Sequence, residues 1–124
     1  MTILSGKRGL IVGVANERSA AWGIAKKASD LGAELAFTYQ IPAFEKRIAP
    51  LAESVKSDIM IPCDLSEEAA AKRAMEQLST YWSEVDFVVH AVGFSDKQEL
   101  SGAYYNTSRQ NFRQTMLISA FSFT

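Results

Sequence analysis

The run Gly13-Val14-Ala15-Asn16-Glu17-Arg18-Ser19-Ala20-Ala21-Trp22-Gly23 holds residue types suited to taking up an anion. It follows directly on the apolar stretch 9–12, which reads as a strand, and leads into a segment with helical spacing. A glycine at such a junction lets the backbone come close to a phosphate, and the first-turn amides of the helix, with their partial positive charge, hold it. The G-x-G-x-x-G spacing is absent, because no second glycine follows Gly13 until Gly23. On spacing alone the loop fits both a pyrophosphate site and the tight strand-to-helix turn of any α/β protein. Other candidates carry plain structural readings. Asp64 stands where capping a helix is the commoner role for an aspartate. His90, the single histidine, ends a strand, where a hydrogen-bonded structural imidazole is expected rather than a base or metal ligand. Cys63, the single cysteine, reads as a small buried hydrophobe rather than a nucleophile. Trp22, Trp82 and Tyr104-Tyr105 read as packing groups.

The elements that must position these residues alternate short apolar runs with longer amphipathic ones, the pattern of a parallel sheet with crossover helices. The strands are predicted at 9–12, 34–39, 58–61 and 86–90, each nearly continuously apolar, as strands covered on both faces should be. Between them, 19–31 reads as a helix burying Ile24, Ala25, Ala28 and Leu31 and stopped by Gly32. Segment 43–55 is helical in composition but holds Pro50, which predicts a kink or two shorter pieces. Segment 66–82 carries a stripe of Ala71, Ala74, Met75, Leu78 and Trp82, with Asp64 or Ser66 as cap and Glu67 and Glu68 at its positive end. A polar stretch 95–105 then precedes a helix over 107–124, whose Phe112, Phe121 and Phe123 suggest core or subunit contact. Strand four would be a bare, valine-rich edge unless further strands covered it, so these residues are expected to be part of a longer polypeptide.

Bulk properties narrow the function classes. A chain of 124 residues with 48% hydrophobic and 22% charged content suits one soluble domain. Thirteen basic and 14 acidic residues leave a formal charge of −1, which argues against nucleic acid and anionic membrane surfaces as partners. No apolar run approaches the roughly 18 residues of a membrane span, and residues 1–8 lack a signal-peptide layout, so a cytoplasmic location is expected. A lone cysteine allows no internal disulfide and no cysteine metal cluster, in keeping with a reducing compartment.

Five strings in order resemble bacterial enoyl-(acyl-carrier-protein) reductases, divergent members of the short-chain dehydrogenase/reductase superfamily. They are Leu4-Ser5-Gly6-Lys7-Arg8, the loop Gly13-Val14-Ala15 with Ser19-Ala20 and Trp22-Gly23-Ile24-Ala25, and Gly32-Ala33-Glu34-Leu35-Ala36-Phe37-Thr38-Tyr39-Gln40. Cys63-Asp64-Leu65 and His90-Ala91-Val92-Gly93-Phe94 complete the set. The resemblance covers essentially the whole chain and implies the first four strands of a Rossmann-type, doubly wound parallel sheet in three αβα layers. It implies pyrophosphate contacts at Gly13, Ser19 and Ala20, and an adenosine ribose beside Gln40. A neutral amide there, followed by Ile41 and Pro42, favours NAD(H) over NADP(H). It further implies an adenine pocket at Asp64 and Leu65, a second ribose over Val92 and Gly93, and Ser95 at the rim of the acyl site. The implied reaction is hydride transfer from NADH to a trans-2-enoyl thioester on acyl carrier protein, in a homotetramer built through helices that include the segment from Thr107 onward.

These reductases use a tyrosine followed seven residues later by a lysine, a spacing that Tyr39 and Lys46 share. Here the two flank the end of strand two, on the adenosine side and interrupted by Pro42, so no catalytic residue is assigned within the chain, and the 124 residues alone are expected to be inactive. A ketoacyl-type reductase would carry a glycine-rich first loop and an Asn-Asn-Ala-Gly-like end to strand four, unlike His90-Ala91-Val92-Gly93. An S-adenosylmethionine methyltransferase would favour an acid in place of Gln40. A non-catalytic dinucleotide-binding module remains the third alternative.

Overall fold

The computed structural model describes residues 2–124. Four strands, β1 (Arg8–Val12), β2 (Glu34–Tyr39), β3 (Met60–Pro62) and β4 (Phe87–His90), pair in parallel in the order β3-β2-β1-β4. Alternation along the strands divides the core in two. Ile11, Leu35 and Phe37 face one side, where α1 (Ala20–Asp30) and α2 (Pro42–Ser54) lay Ala21, Trp22, Ala25, Ala28, Ile48 and Ala52 against them. Leu10, Ala36 and Ile61 face the other side, covered by Ala70, Ala74 and Leu78 of α3 (Ala70–Leu78) and by Trp82. Helices on both faces are why β1 and β2 carry almost no polar alternation, whereas the edge strand β4 leaves Val88 47% exposed, and the arrangement is the expected three-layer, doubly wound sheet.

The chain forms two compact units, the first ending at Ala91 and the second comprising Val92–Thr124. The sheet and its three helices make up the first. In the second, 3-10 turns at Lys97–Glu99 and Tyr104–Asn106 precede α4 (Arg109–Ser119), whose N-cap Ser108 accepts from the Asn111 amide at 3.1 Å.

Several boundaries and faces differ from expectation for identifiable reasons. Helix α1 buries Ala21 and Trp22 with Ala25 and Ala28 and leaves Ile24 47% exposed, because the Trp22 ring packs on Phe37 with centroids 6.2 Å apart and turns the helix. Its stop is as read: Gly32 takes φ +101°, its amide donates to the Ser29 carbonyl, and the Ala33 amide reaches back to Ala28, the two bonds of a Schellman ending. Helix α2 runs unbroken through Pro50, because that ring is on the exposed side while Ile48 and Ala52 are pinned to the sheet on either side of it. Strand β3 starts at Met60 and tolerates Pro62 because it is an edge strand, where a missing N–H costs little. Helix α3 starts at Ala70, not at 66, with Ala69 as its N-cap. Asp64 and Ser66 are bonded to each other in the preceding turn instead of capping the helix. Ala70 takes the place of Ala71 in the buried stripe, and Met75 is 46% exposed. Helix α4 ends at Ser119, and a 3-10 turn, Phe121–Phe123, follows.

Candidate functional site

The first feature is how β1 hands over to α1. Gly13 takes φ +117°, and a Cβ there would lie 2.2 Å from the Ala91 carbonyl oxygen, so both the conformation and the close approach to the end of β4 require glycine. The loop beyond it closes on itself. The Ser19 hydroxyl accepts from the amides of Ala15 at 2.9 Å and Asn16 at 3.1 Å, and the Asn16 side-chain oxygen accepts from Arg18 N–H at 2.8 Å. The Ser19 amide donates to the Asn16 carbonyl. These amides therefore do not form the anion cradle that a glycine-rich loop makes. What points onward is the Ser19 O–H, its oxygen already accepting twice, and the opening amides of α1, Ala20 and Ala21. They precede the first intrahelical bonds, from Trp22 and Gly23 to the Ser19 carbonyl. The first turn of α1 carries no acidic residue. A hydroxyl donor beside first-turn amides that have no intrahelical partner fits a phosphate oxygen.

At the ends of β2 and β3 the structure brings Gln40 and Asp64 together: Gln40 Nε2 lies 3.5 Å from Asp64 Oδ1. The same carboxylate oxygen accepts from the Ser66 hydroxyl at 2.6 Å and the Ser66 amide at 3.0 Å. The Ser66 bonds, hydroxyl first, hold the Asp64 carboxyl below the usual carboxylate range, and Gln40 adds to the effect. Leu65 is half-buried against the α3-side core. Gly13, Ser19, Ala20, Gln40, Asp64 and Leu65 thus lie beyond the carboxyl ends of three adjacent parallel strands, the side of a doubly wound sheet where ligands bind.

The neighbouring titratable groups do other work. Burial, then the hydrogen-bonded Glu45 carboxylate, pushes the Tyr39 phenol up, and Lys46 is exposed on α2. Burial, then Asp64, pushes the Cys63 thiol up, and the side chain is buried as the sequence suggested. His90 closes β4 in register with Val12. Among the described residues no cluster of His, Cys, Asp and Glu could hold a metal ion, and no helix is long and apolar enough to cross a membrane.

In the second unit Val92 and Ser95 are half-buried. Ser95 Oγ accepts from Asn111 Nδ2 at 3.0 Å, and Asn111 is only 5% exposed. Sequence reasoning passed over Asn111. The available signal was its place seven residues before Ile118, on the buried face of α4, where a polar side chain must find partners.

A family model described as enoyl-(acyl carrier protein) reductase matches residues 13–124. An NADH enoyl-[acyl-carrier-protein] reductase of Rhizobium meliloti is 54% identical over 122 residues, which cover 98% of this chain and 46% of the relative. Among solved structures, FabI from Candidatus Liberibacter asiaticus superposes with a TM-score of 0.97 at 55% identity, covering 99% of this chain and 48% of the other. The enoyl-(acyl-carrier-protein) reductase of Anaplasma phagocytophilum, solved in complex with NAD, gives 0.93 at 49% identity, covering 97% and 46%. The chain spans about half the length of the curated relatives it matches.

Proposed function

The chain belongs to the enoyl-(acyl carrier protein) reductase family, and from that premise we propose that it supplies the cofactor-binding half of an NADH-dependent reductase of type II fatty-acid biosynthesis. The observation that carries this reading is the row of donors and acceptors along the carboxyl ends of β1, β2 and β3. In it, the Ser19 hydroxyl and the Ala20 and Ala21 amides hold the pyrophosphate, with Gly13 giving the backbone room. Gln40 hydrogen-bonds the adenosine ribose, and Asp64 with Leu65 receives the adenine. In the second unit Val92 borders the nicotinamide ribose and Ser95 the acyl substrate.

NADH is favoured over NADPH for an electrostatic reason. The Asp64 carboxylate lies 3.5 Å from the Gln40 amide, and Ile41 and Pro42 rather than an arginine follow Gln40, so a 2′-phosphate would stand beside a carboxylate without the adjacent arginine that accommodates it. When bound, the nicotinamide supplies the hydride that saturates the enoyl double bond at its β-carbon. The chain's own residues fix the dinucleotide's position. Acyl carrier protein presents the thioester. Phe112, Met116, Leu117 and Phe121 are 47 to 63% exposed on α4 and the turn after it, an apolar face in keeping with assembly into a homotetramer. The location is cytoplasmic on this reading.

The test is direct titration of the whole reductase with NADH and NADPH, followed by NADH oxidation with a crotonyl thioester. Micromolar-range NADH binding and turnover are expected. A protein that binds neither nucleotide would overturn the reading.

A further inference from the structure

Asn111 does more than fill its site, because its surroundings dictate the polarity of a neighbour. Its Oδ1 accepts from the Asp96 amide at 2.8 Å. A backbone N–H can only donate, so the side-chain oxygen must face Asp96 and the amino group must face Ser95. That amino group can likewise only donate, so Ser95 Oγ accepts from Asn111 Nδ2 at 3.0 Å and the serine's own hydrogen points away from Asn111. Thr115 Oγ1, 3.5 Å from Oδ1, occupies the remaining side of the oxygen. The loop bearing Ser95 is also fastened to the start of α4 by Glu99, whose carboxylate receives the Ser108 amide at 2.6 Å and hydroxyl at 2.7 Å. Asp96 in turn caps the first 3-10 turn by accepting from the Gln98 amide at 3.0 Å.

We propose that Asn111 is a positioning residue that holds Ser95 as a directed hydrogen-bond donor, which Ser95 presents to an acceptor oxygen of the enoyl-thioester substrate. The inference rests on the reading of Ser95 as a residue of the acyl site. Asn111→Asp tests it, because the near-isosteric carboxylate still accepts from the Asp96 amide but also accepts from Ser95, turning the serine hydrogen inward. In the whole reductase, assayed with the crotonyl thioester of acyl carrier protein, Asn111→Asp is expected to raise KM by about 3- to 10-fold, the usual worth of one neutral hydrogen bond. The dissociation constant for NADH and kcat stay unchanged. Ser95→Ala raises KM equally, and the double variant is no worse than either single one, as two changes to one interaction require.

Multiplying effects in the double variant would indicate independent, structural roles and overturn the proposal. Should Asn111→Asp fail to fold, Ser95→Ala decides alone: an unchanged KM overturns it. A parent enzyme without NADH-dependent turnover overturns the functional reading and this inference with it. An active parent with an insensitive Ser95→Ala overturns this inference only.

Discussion

Replacing Gly13 with alanine strains the chain at the point on which the site depends, and the structure sets the size of the effect. The backbone there takes φ +117°, which costs a residue with a Cβ about 1–2 kcal/mol. The added methyl would stand 2.2 Å from the Ala91 carbonyl oxygen and 2.7 Å from its carbon. Both are backbone atoms, and the Ala91 amide donates to Val12 at 3.0 Å, so relief requires parting β1 from the end of β4. Overpacking of that kind adds about 1–3 kcal/mol, for a total of about 2–5 kcal/mol. Gly23 is the internal control: a Cβ there meets nothing within 4 Å and the residue lies inside α1, so alanine should stabilise by about 0.5–1 kcal/mol. Urea unfolding followed by the fluorescence of the buried Trp22 and Trp82 reads both variants. With an m-value of about 1–3 kcal/mol per molar, Gly13→Ala lowers the midpoint by on the order of 1–2 M, and Gly23→Ala raises it by a few tenths. A Gly13→Ala protein unfolding within about 0.3 M of the parent would refute the close approach of β1 to Ala91.

Three further outcomes are expected. Ser19→Ala removes the hydroxyl proposed to meet the pyrophosphate and the anchor of two loop amides, so NADH affinity by fluorescence titration should fall about 10-fold or more; an unchanged affinity contradicts the loop's assignment. The Asp64 carboxyl titrates lower folded than unfolded, so its contribution is present above the unfolded value and lost as pH falls through the folded one. Asp64→Asn should therefore flatten the acid limb of the stability profile slightly, the half-exposed site keeping the effect small, and a steeper limb would reverse the assigned sign. The Cys63 thiol titrates higher folded than its ordinary 9.0, so its contribution is present below that value and lost as pH rises through the folded one. Cys63→Ala should remove part of the alkaline loss of stability, Tyr39 carrying another part for the same reason, and parent protein should resist thiol alkylation at neutral pH until urea unfolds it. Rapid labelling without urea would contradict the burial.

The loop from β1 to α1 shows where reading residues alone reaches its limit. Its position was legible, since a strand runs into Gly13 and then into a helical spacing, although that pattern alone fits a plain strand-to-helix turn as well as a pyrophosphate site. Its inner wiring was not: which amides turn inward to Ser19 depends on the φ and ψ of the seven loop residues from Gly13 to Ser19, and no spacing rule encodes them. Likewise Gln40 and Asp64 were each legible as strand-end residues, but their meeting requires the β2-β3 pairing to bring Tyr39 level with Pro62. Asn111 escaped because its partners, Ser95 and Asp96, are 16 and 15 positions away across an irregular loop.

What the residues determined unaided was local and periodic: four short apolar runs that form strands, the glycine that ends α1, and the turn from β1 into α1. Periodicity specifies which element forms because burial of one face drives it. It does not specify how far that element is rotated or where it begins. The rotation of α1 that exposes Ile24, the late start of α3 and the unbroken passage of α2 through Pro50 were decided by packing against the sheet. There the energy of fitting Trp22 onto Phe37, or Ile48 and Ala52 into the core, exceeds the weak preferences of single residues.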